Sequence, residues 1–410
     1  MGKHIIEEAS RCLQCKKPLC SKGCPISTPI NEVIKLLLDG KTFEAGELLF
    51  NNNPLSVVCS LICPHENFCE GHCILGRKSA PIQVSDIENY ISNYYLEHIS
   101  LRKPEHANNG KKIAIVGSGP AGLTVAFILA SKGFDVTIFE SEDKIGGVLQ
   151  YGIPEFRLPK RILVKLKKLL ERLGVKIRPN MLIGPIITLD DLLRDGYKAI
   201  FIGTGVWSPK PLRIKGETLG NVHYAINYLK NPKVYSLGKR VVVIGAGNVA
   251  MDVARTARRK GAEEVLVLYR RGEENMTATK YEYEYAKIDG VSFRFYTTPL
   301  ELLDDGVRCI KTEMVQDGDS SRLVQVEGSE HFIQADTMFI AASQAPRDNL
   351  SGIEVGKTGL IITNEDGRTT REGIFASGDV VTGAKTVAEA VNLSKRSAQA
   401  IMEYVATLDA

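Results

Sequence analysis

Apolar positions fall into two spacing regimes along the chain. Over the first hundred residues they recur at helical intervals. "INEVIKLLLDGKTFEAGELLF" and "SDIENYISNYYLEHI" both place apolar side chains three and four apart, which predicts helices with one buried stripe. Ser85 or Asp86 is placed to cap the second of them. The polar, turn-rich "RKPEHANNGKK" at 102–112 reads as a linker. Beyond it the pattern changes to short continuous apolar runs, each leading through glycines into helical spacing. "IAIVGSGPAGLTVAFILA" is followed by "DVTIFE", and later "VVVIGAGNVAMDVARTA" is followed by "EEVLVLYRR". Runs of four or five apolar residues suit strands buried on both faces, and strand–helix–strand alternation predicts parallel, doubly wound α/β sheets. "PKRILVKLKKLLERLGVKI", opening at Pro159, predicts an amphipathic helix with a basic face. Solvation is the default use of such a face, and docking of an acidic partner is the alternative.

Composition narrows the class. The chain has 410 residues, 44% hydrophobic and 24% charged, an ordinary globular balance with length for two or three domains. A chain this long buries large cores without disulfide staples. A net charge of +4 gives no basic face for nucleic acid. The start, "MGKHIIEEASRC", lacks the apolar core of a signal peptide, and Ile6 stands where a myristoylation site has Ser or Thr. The longest apolar run holds three glycines and a proline, so it reads as strand, turn and helix rather than a membrane span. The expectation is a cytoplasmic protein with neither nucleic acid nor membrane as partner. In that compartment clustered cysteines bind metal or perform redox chemistry.

The cysteines are clustered. Eight of nine lie between residues 12 and 73. Cys12, Cys15, Cys20 and Cys24 run C-x2-C-x4-C-x3-C-P, and Cys59, Cys63, Cys69 and Cys73 follow in "CSLICPHENFCEGHC". Short gaps bring thiolates within reach of one inorganic centre. A Cys-Pro ending occurs in bacterial ferredoxins, where the last cysteine of a run serves the other cluster. Two [4Fe–4S] clusters are the leading reading. Zinc sites and buried inert thiols are the alternatives, but zinc favours paired C-x2-C knuckles and there is one such pair. His65 and His72, inside the block, are read as surface or supporting residues rather than ligands. The block predicts a small helical domain packed around its inorganic centres.

The glycine-bearing segments carry a second chemistry. Gly117, Gly119 and Gly122, with Pro120 and Ala121 between them, follow one buried strand and open a helix. The next strand ends at Glu140, 18 residues after Gly122. This is the dinucleotide fingerprint in its required context. The first glycine allows the turn, the second lets backbone approach a pyrophosphate, and the third packs helix on strand. The helix N-terminus favours the phosphate charge, and an acid at Glu140 accepts ribose hydroxyls. The pattern returns at Gly245 and Gly247, with Asn248 and Val249 opening the helix and Ala250 in third place. Here the second strand ends not in an acid but in Arg270 and Arg271. Guanidinium groups there attract a 2′-phosphate and can bind it as a fork. The first site therefore suits FAD and the second NADP(H), NAD remaining possible; Lys280 is a further candidate phosphate contact. The bland reading of Arg270 and Arg271 is a solvated charge pair at a strand end.

In order along the chain, "GSGPAGL", "GGVLQYGIPEFRLPK", "IFIGTG", "IGAGNVAMD", "YRRGEENM" and "GIFASGDV" resemble the small subunit of NADPH-dependent glutamate synthase. They are also similar to the N-terminal electron-input half of dihydropyrimidine dehydrogenase and to its separate bacterial NAD(P)H-oxidising subunit. The resemblance implies an adrenodoxin-reductase-like flavoprotein behind a domain with two [4Fe–4S] clusters. It implies crossed ligands: Cys12, Cys15 and Cys20 sharing one cluster with Cys73, and Cys24, Cys63 and Cys69 holding the other. In relatives the last ligand is a side-chain oxygen, which falls on Glu88 here, with Cys59 as its rival because a thiolate is the softer iron ligand. It also implies that Gly146, Gly147 and the "GIPEFRLP" segment with Arg157 line the isoalloxazine. Gly203, Thr204 and Gly205 would lie near the adenine half of FAD, and Asp379, after Gly378, would bond the ribityl chain. A helix beginning near Thr386 and Val387 would aim its positive end at the flavin O2 side.

These parts predict a helical iron–sulfur domain at 1–110, a split FAD-binding domain at 111–225 and 338–410, and an inserted NAD(P)H-binding domain at 226–337. The expected enzyme is an NAD(P)H-dependent oxidoreductase with no catalytic side chain, because the cofactors carry the chemistry. No length remains for a substrate barrel, so a catalytic partner subunit is expected. An FMN-containing dihydropyrimidine dehydrogenase subunit leads, with the glutamate synthase large subunit as the alternative. A thioredoxin-reductase-type disulfide enzyme needs a C-x-x-C pair facing the flavin, and outside the head there is only Cys309. A non-catalytic iron–sulfur scaffold or sensor is the reading from another class, and the two nucleotide sites argue against it.

Overall fold

The computed structural model describes residues 2–99, 108–317 and 320–408; most of the stretch read as a linker, 102–107, lies outside them. The chain divides into two compact units. One gathers residues 1–150, 155–206 and 345–410, and the other 151–154 and 207–344.

The first unit begins with six helices: α1 (Gly2–Ser10), α2 (Leu19–Gly23), α3 (Ile30–Leu38), α4 (Thr42–Asn52), α5 (Ser56–Ile62) and α6 (Val84–His98). The apolar stripes of α3, α4 and α6 meet in one core that includes Ile34, Leu37, Leu49, Ile87 and Ile91. Cys69 is part of that core, and Cys12, Cys20 and Cys73 pack against it. The start of α6 departs from expectation. Gln83 stands at the cap position without a side-chain bond, so neither Ser85 nor Asp86 caps the helix. Carboxylates from elsewhere do this. Glu70 accepts hydrogen bonds from the Ser85 N–H at 2.9 Å and the Ser85 hydroxyl at 2.7 Å, and Glu8 accepts from the Gln83 N–H at 2.9 Å. Negative groups at a helix start satisfy its unpaired N–H groups and its positive end.

Next come β1 (Lys112–Val116), α7 (Pro120–Ser131), β2 (Asp135–Phe139), α8 (Val148–Tyr151), α9 (Arg161–Arg172), β3 (Lys176–Arg178), α10 (Leu189–Arg194) and β4 (Ala199–Ile202). The unit closes with β16 (Ile374–Ala376), α14 (Asp379–Thr382) and α15 (Val387–Thr407). The sheet runs β16-β4-β1-β2-β3, parallel throughout. Strands β1, β2, β4 and β16 are almost wholly buried, as continuous apolar runs require, while the short edge strand β3 is largely exposed. The helical head docks on this fold through helices. Phe50 of α4 meets Phe127 of α7 edge to face, with ring centroids 5.4 Å apart. Lys165 of α9 pairs with Glu97 of α6 at 2.9 Å, and Lys395 of α15 donates to Asn52 of α4 at 2.8 Å.

The second unit holds β6 (Val222–Tyr224), α11 (Ala225–Lys230), β7 (Arg240–Ile244), α12 (Asn248–Arg259), β8 (Glu264–Leu268), α13 (Lys280–Ile288), β9 (Ser292–Arg294) and β14 (Thr337–Ile340). Two-residue strands, β5 (Ser208–Pro209) and β15 (Gln344–Ala345), stand where the chain enters and leaves it. Its parallel sheet runs β6-β14-β7-β8-β9. Between β9 and β14 a four-stranded antiparallel sheet is built from β10 (Thr297–Leu303), β11 (Gly306–Asp317), β12 (Ser320–Gln325) and β13 (His331–Gln334). The sequence-based boundaries at 225/226 and 337/338 differ from this arrangement. Strands β6 and β14 both pair within the second sheet, and a buried apolar run such as "TMFI" looks alike whichever sheet it joins. Small residues on α12, Ala250, Ala254 and Ala257, lie fully buried in the same core as the sheet residues Val241, Val243, Val265 and Val267. Among the described residues no helix is long and apolar enough to cross a membrane.

Candidate functional site

The head brings its thiols into two groupings. In the first, Cys15 and Cys73 act electrostatically on Cys12, and Cys73 and Cys12 act on Cys20. Burial pushes the Cys12 and Cys20 thiols up, against neighbouring backbone N–H groups that pull down. In the second, Glu88 and Cys24 act on Cys69, and Cys59, Glu88 and Cys69 act on Cys63. The Cys63 thiol is raised by its hydrogen bond with Cys59 first and by burial next. Burial, with help from Glu70, pushes the Glu88 carboxyl up to about 8. Donors that raise one another's pKa in a buried setting favour a cation in place of their protons. His65 adds a second sign: its Nε2 is buried and has no hydrogen-bond partner among the described residues. Among those residues no three Cys, His, Asp or Glu side chains converge as ligands of one metal ion do. A four-iron cubane places metal and sulfide between its ligands and asks for wider spacing. The donor set, thiolates and one carboxylate, suits iron–sulfur chemistry.

The first glycine turn joins β1 to α7. Gly117 has φ 94°, and a Cβ there would stand 2.7 Å from the Gly203 carbonyl oxygen, while one on Gly122 would collide with the Gly117 carbonyl. Gly119 differs. Its backbone (φ −66°, ψ −174°) suits any residue, and a Cβ would meet no protein atom closer than the Gly203 oxygen at 3.9 Å. The first and third glycines thus serve packing, and the middle one keeps open the approach that a pyrophosphate needs. Pro120 and Ala121 open α7, whose first turn has no acidic residue. Gly146 and Gly147 fold onto this turn: the Gly146 N–H reaches the Ser118 carbonyl at 3.0 Å and its hydroxyl at 3.1 Å, and a Cβ on Gly147 would lie 2.8 Å from the Gly119 Cα. Gly203 and Thr204 follow β4 beside Gly117, and Gly205 comes next with φ 69°. Arg157 is half-buried between α8 and α9.

Glu140 is 4% exposed and its carboxylate is heavily used. It accepts from the Ser118 N–H at 2.9 Å and the Ser118 hydroxyl, from the Glu142 N–H at 2.9 Å and from the Ser141 hydroxyl at 3.3 Å. A ribose hydroxyl would therefore replace the Ser118 or Ser141 hydroxyl on it. No sequence signal marks these serines as its partners. From near the other end of the chain, Gly378 packs on Ala121. Asp379 accepts from the Lys385 N–H at 3.2 Å, and burial raises its carboxyl to about 6. Thr386 caps α15 in a reciprocal box with Glu389, ahead of Val387. Replacing Gly119 by alanine is expected to leave the melting temperature of the flavin-free protein unchanged and to weaken FAD binding about tenfold, roughly 1.4 kcal/mol. Flavin content after dialysis, read beside thermal unfolding, checks this; Gly122→Ala should lower both.

In the second unit Gly247 caps α12, whose first turn also lacks acidic residues. The loop before α13 folds onto this turn. The Ala278 N–H reaches the Ala246 carbonyl at 3.1 Å, and Asn248 accepts from the Thr279 N–H at 3.0 Å. A Cβ on Gly245 would strike the Ala341 carbonyl. Val249 is half-buried. Arg270 and Arg271 are exposed just past β8. Their backbone is fixed, since the Thr312 hydroxyl donates to the Arg270 carbonyl at 2.7 Å and the Tyr296 N–H to the Arg271 carbonyl at 3.1 Å. Lys280 is exposed at the first position of α13.

Residues 111–394 match the family described as Pyridine nucleotide-disulphide oxidoreductase, and residues 1–99 match the one described as Dihydropyrimidine dehydrogenase domain II, 4Fe-4S cluster. The chain is 34% identical to the glutamate synthase [NADPH] small chain of Escherichia coli K12, over 97% of this chain and 91% of that protein. It is also 34% identical to the NADP(+)-dependent formate dehydrogenase subunit beta of Moorella thermoacetica, over 94% of this chain and 60% of that one. The fold resembles that of Mycobacterium tuberculosis FprA in complex with NADPH, with a TM-score of 0.63 at 20% identity over 73% of this chain and 86% of the other.

Proposed function

Since this chain belongs to the pyridine nucleotide-disulphide oxidoreductase family, in the group that includes glutamate synthase small chains, we propose that it is the electron-input subunit of a larger oxidoreductase, working from NADPH through FAD and two [4Fe–4S] clusters to a catalytic partner. Bound FAD supplies the step between a two-electron hydride donor and one-electron iron–sulfur acceptors. The chain holds and tunes these groups. The open Gly119 turn and the N-terminus of α7 bind the FAD pyrophosphate, Glu140 its ribose, and Asp379 its ribityl chain. Gly247 and α12 bind the NADPH pyrophosphate, and Arg270 with Arg271 binds its 2′-phosphate. Cys12, Cys15, Cys20 and Cys73 hold one cluster, and Cys24, Cys63, Cys69 and Glu88 the other.

The partner proposed first is the large subunit of a glutamate synthase. The observation that carries this is coverage: the alignment spans 91% of the glutamate synthase small chain but 60% of the formate dehydrogenase subunit. A dihydropyrimidine dehydrogenase catalytic subunit is the second reading, favoured by the family match over residues 1–99. Anaerobic affinity purification from the native host tests both. A co-purifying large amidotransferase is expected, together with NADPH-driven bleaching of the flavin band. A co-purifying pyrimidine-reducing FMN barrel would establish the second reading, and a flavin that NADPH does not bleach would overturn both.

A further inference from the structure

One string of side chains ties a thiol of the head to the flavin-binding fold. Lys395, on α15, donates through Nζ to the Asn52 Oδ1 at 2.8 Å. Asn52 Nδ2 donates to the Thr28 Oγ1 at 3.3 Å, and Thr28 Oγ1 lies 3.3 Å from the Cys24 Sγ. The polarity runs one way. Thr28 accepts from Asn52, so its one proton is free for the sulfur, and a metal-bound thiolate can only accept. A backbone turn aims Thr28 at Cys24. Ser27 holds φ 53°, a left-handed conformation uncommon outside glycine, and its N–H bonds the Cys24 carbonyl at 2.9 Å. Thr28 is only 5% exposed, and Asn52 and Lys395 are half-buried, so solvent and salt screen the string weakly.

We propose that Lys395, Asn52 and Thr28 form a polarised hydrogen-bond relay that positions the Cys24 sulfur and raises the reduction potential of the iron–sulfur centre it holds. This rests on the iron–sulfur reading of the head. Hydrogen bonds to ligating sulfurs and nearby positive charge favour the more negative, reduced centre. Aligned donors strengthen one another in a partly buried setting. Lys395 and Thr28 are positioning residues: both act through Cys24 and neither takes part in the chemistry.

The test is an EPR-monitored redox titration of anaerobically prepared holoprotein. Thr28→Val removes the hydroxyl at nearly constant volume, and Lys395→Met removes the charge at the far end. Each is expected to lower the reduced-to-oxidised ratio of one centre about tenfold at fixed potential, equivalent to ~59 mV for one electron, with the other centre unmoved. Thr28→Ser and Lys395→Arg should stay near wild type, and the double variant should shift less than the sum of the singles. Unchanged potentials in iron-replete Thr28→Val, or equal shifts of every centre, would overturn the relay. Lys395→Met decides alone if Thr28→Val fails to assemble its centre. Wild-type protein without iron and sulfide overturns the head's assignment itself, and the relay with it.

Discussion

Replacing Glu88 by alanine is expected to remove about half of the iron and sulfide per FAD, whereas replacing Cys59 leaves both intact. Glu88 lies on α6 with its carboxyl acting on both Cys63 and Cys69. The helix start that carries it is held by Glu70 and Glu8, so its direction is set before any metal arrives. Burial raises the carboxyl to about 8, which leaves it protonated near neutral pH in the metal-free protein. Iron held by Glu88 would take the place of that proton and offset the penalty of a buried charge. Cys59 has the softer atom but a different place. It is 4% exposed, on α5, and its side chain is engaged with Cys63. That fits a sulfur that orients a neighbouring ligand. Loss of a ligand leaves a cluster with an open site and commonly destroys it, while loss of an orienting thiol typically weakens affinity by about 10- to 100-fold. Iron and sulfide analysis with EPR of the dithionite-reduced protein reads the outcome. Half-loaded Cys59→Ala beside fully loaded Glu88→Ala would transfer the ligand to Cys59.

Much of this was legible in the sequence because the signals are local. The runs "IAIVG" and "VVVIG" form the strands β1 and β7, each followed by its glycine turn and helix, and Thr386 stands at the head of α15 with Glu389 three residues on. What escaped depends on residues far apart in the chain. The start of α6 is capped by Glu70 and Glu8, 15 and 75 residues away from the groups they bind, and no window around Ser85 contains them. The allegiance of β6 and β14 to the second sheet is decided by which strand each pairs with. The saturation of Glu140 by Ser118, 22 residues earlier, changes how a ribose would be bound, yet the fingerprint specifies only glycines and an acid. The string from Lys395 to Cys24 spans the chain from end to end.

Preference for NADPH over NADH should collapse in Arg270→Glu. The two cofactors differ by one 2′-phosphate, so only groups that meet that phosphate can separate them. Arg270 and Arg271 are exposed just beyond β8, where the first unit has Glu140 after β2. Thr312 and Tyr296 pin the backbone beneath them, so little ordering of the main chain remains to oppose binding. A charge-assisted bond to a guanidinium contributes about 1.5–3 kcal/mol. Substituting a carboxylate removes that and adds repulsion of the phosphate dianion. NADPH binding should therefore weaken by about 100- to 1000-fold, with NADH changed by less than about threefold. Arg270→Gln should fall between, since it removes attraction without adding repulsion, and the wild-type preference should shrink as salt is raised because the site is open to solvent. Anaerobic titration of flavin bleaching with each cofactor measures this. The discriminating quantity is the ratio of the two affinities, because damage to the pyrophosphate site lowers both together. A ratio that stays at its wild-type value in Arg270→Glu would place 2′-phosphate recognition elsewhere, with Lys280 the next residue to substitute.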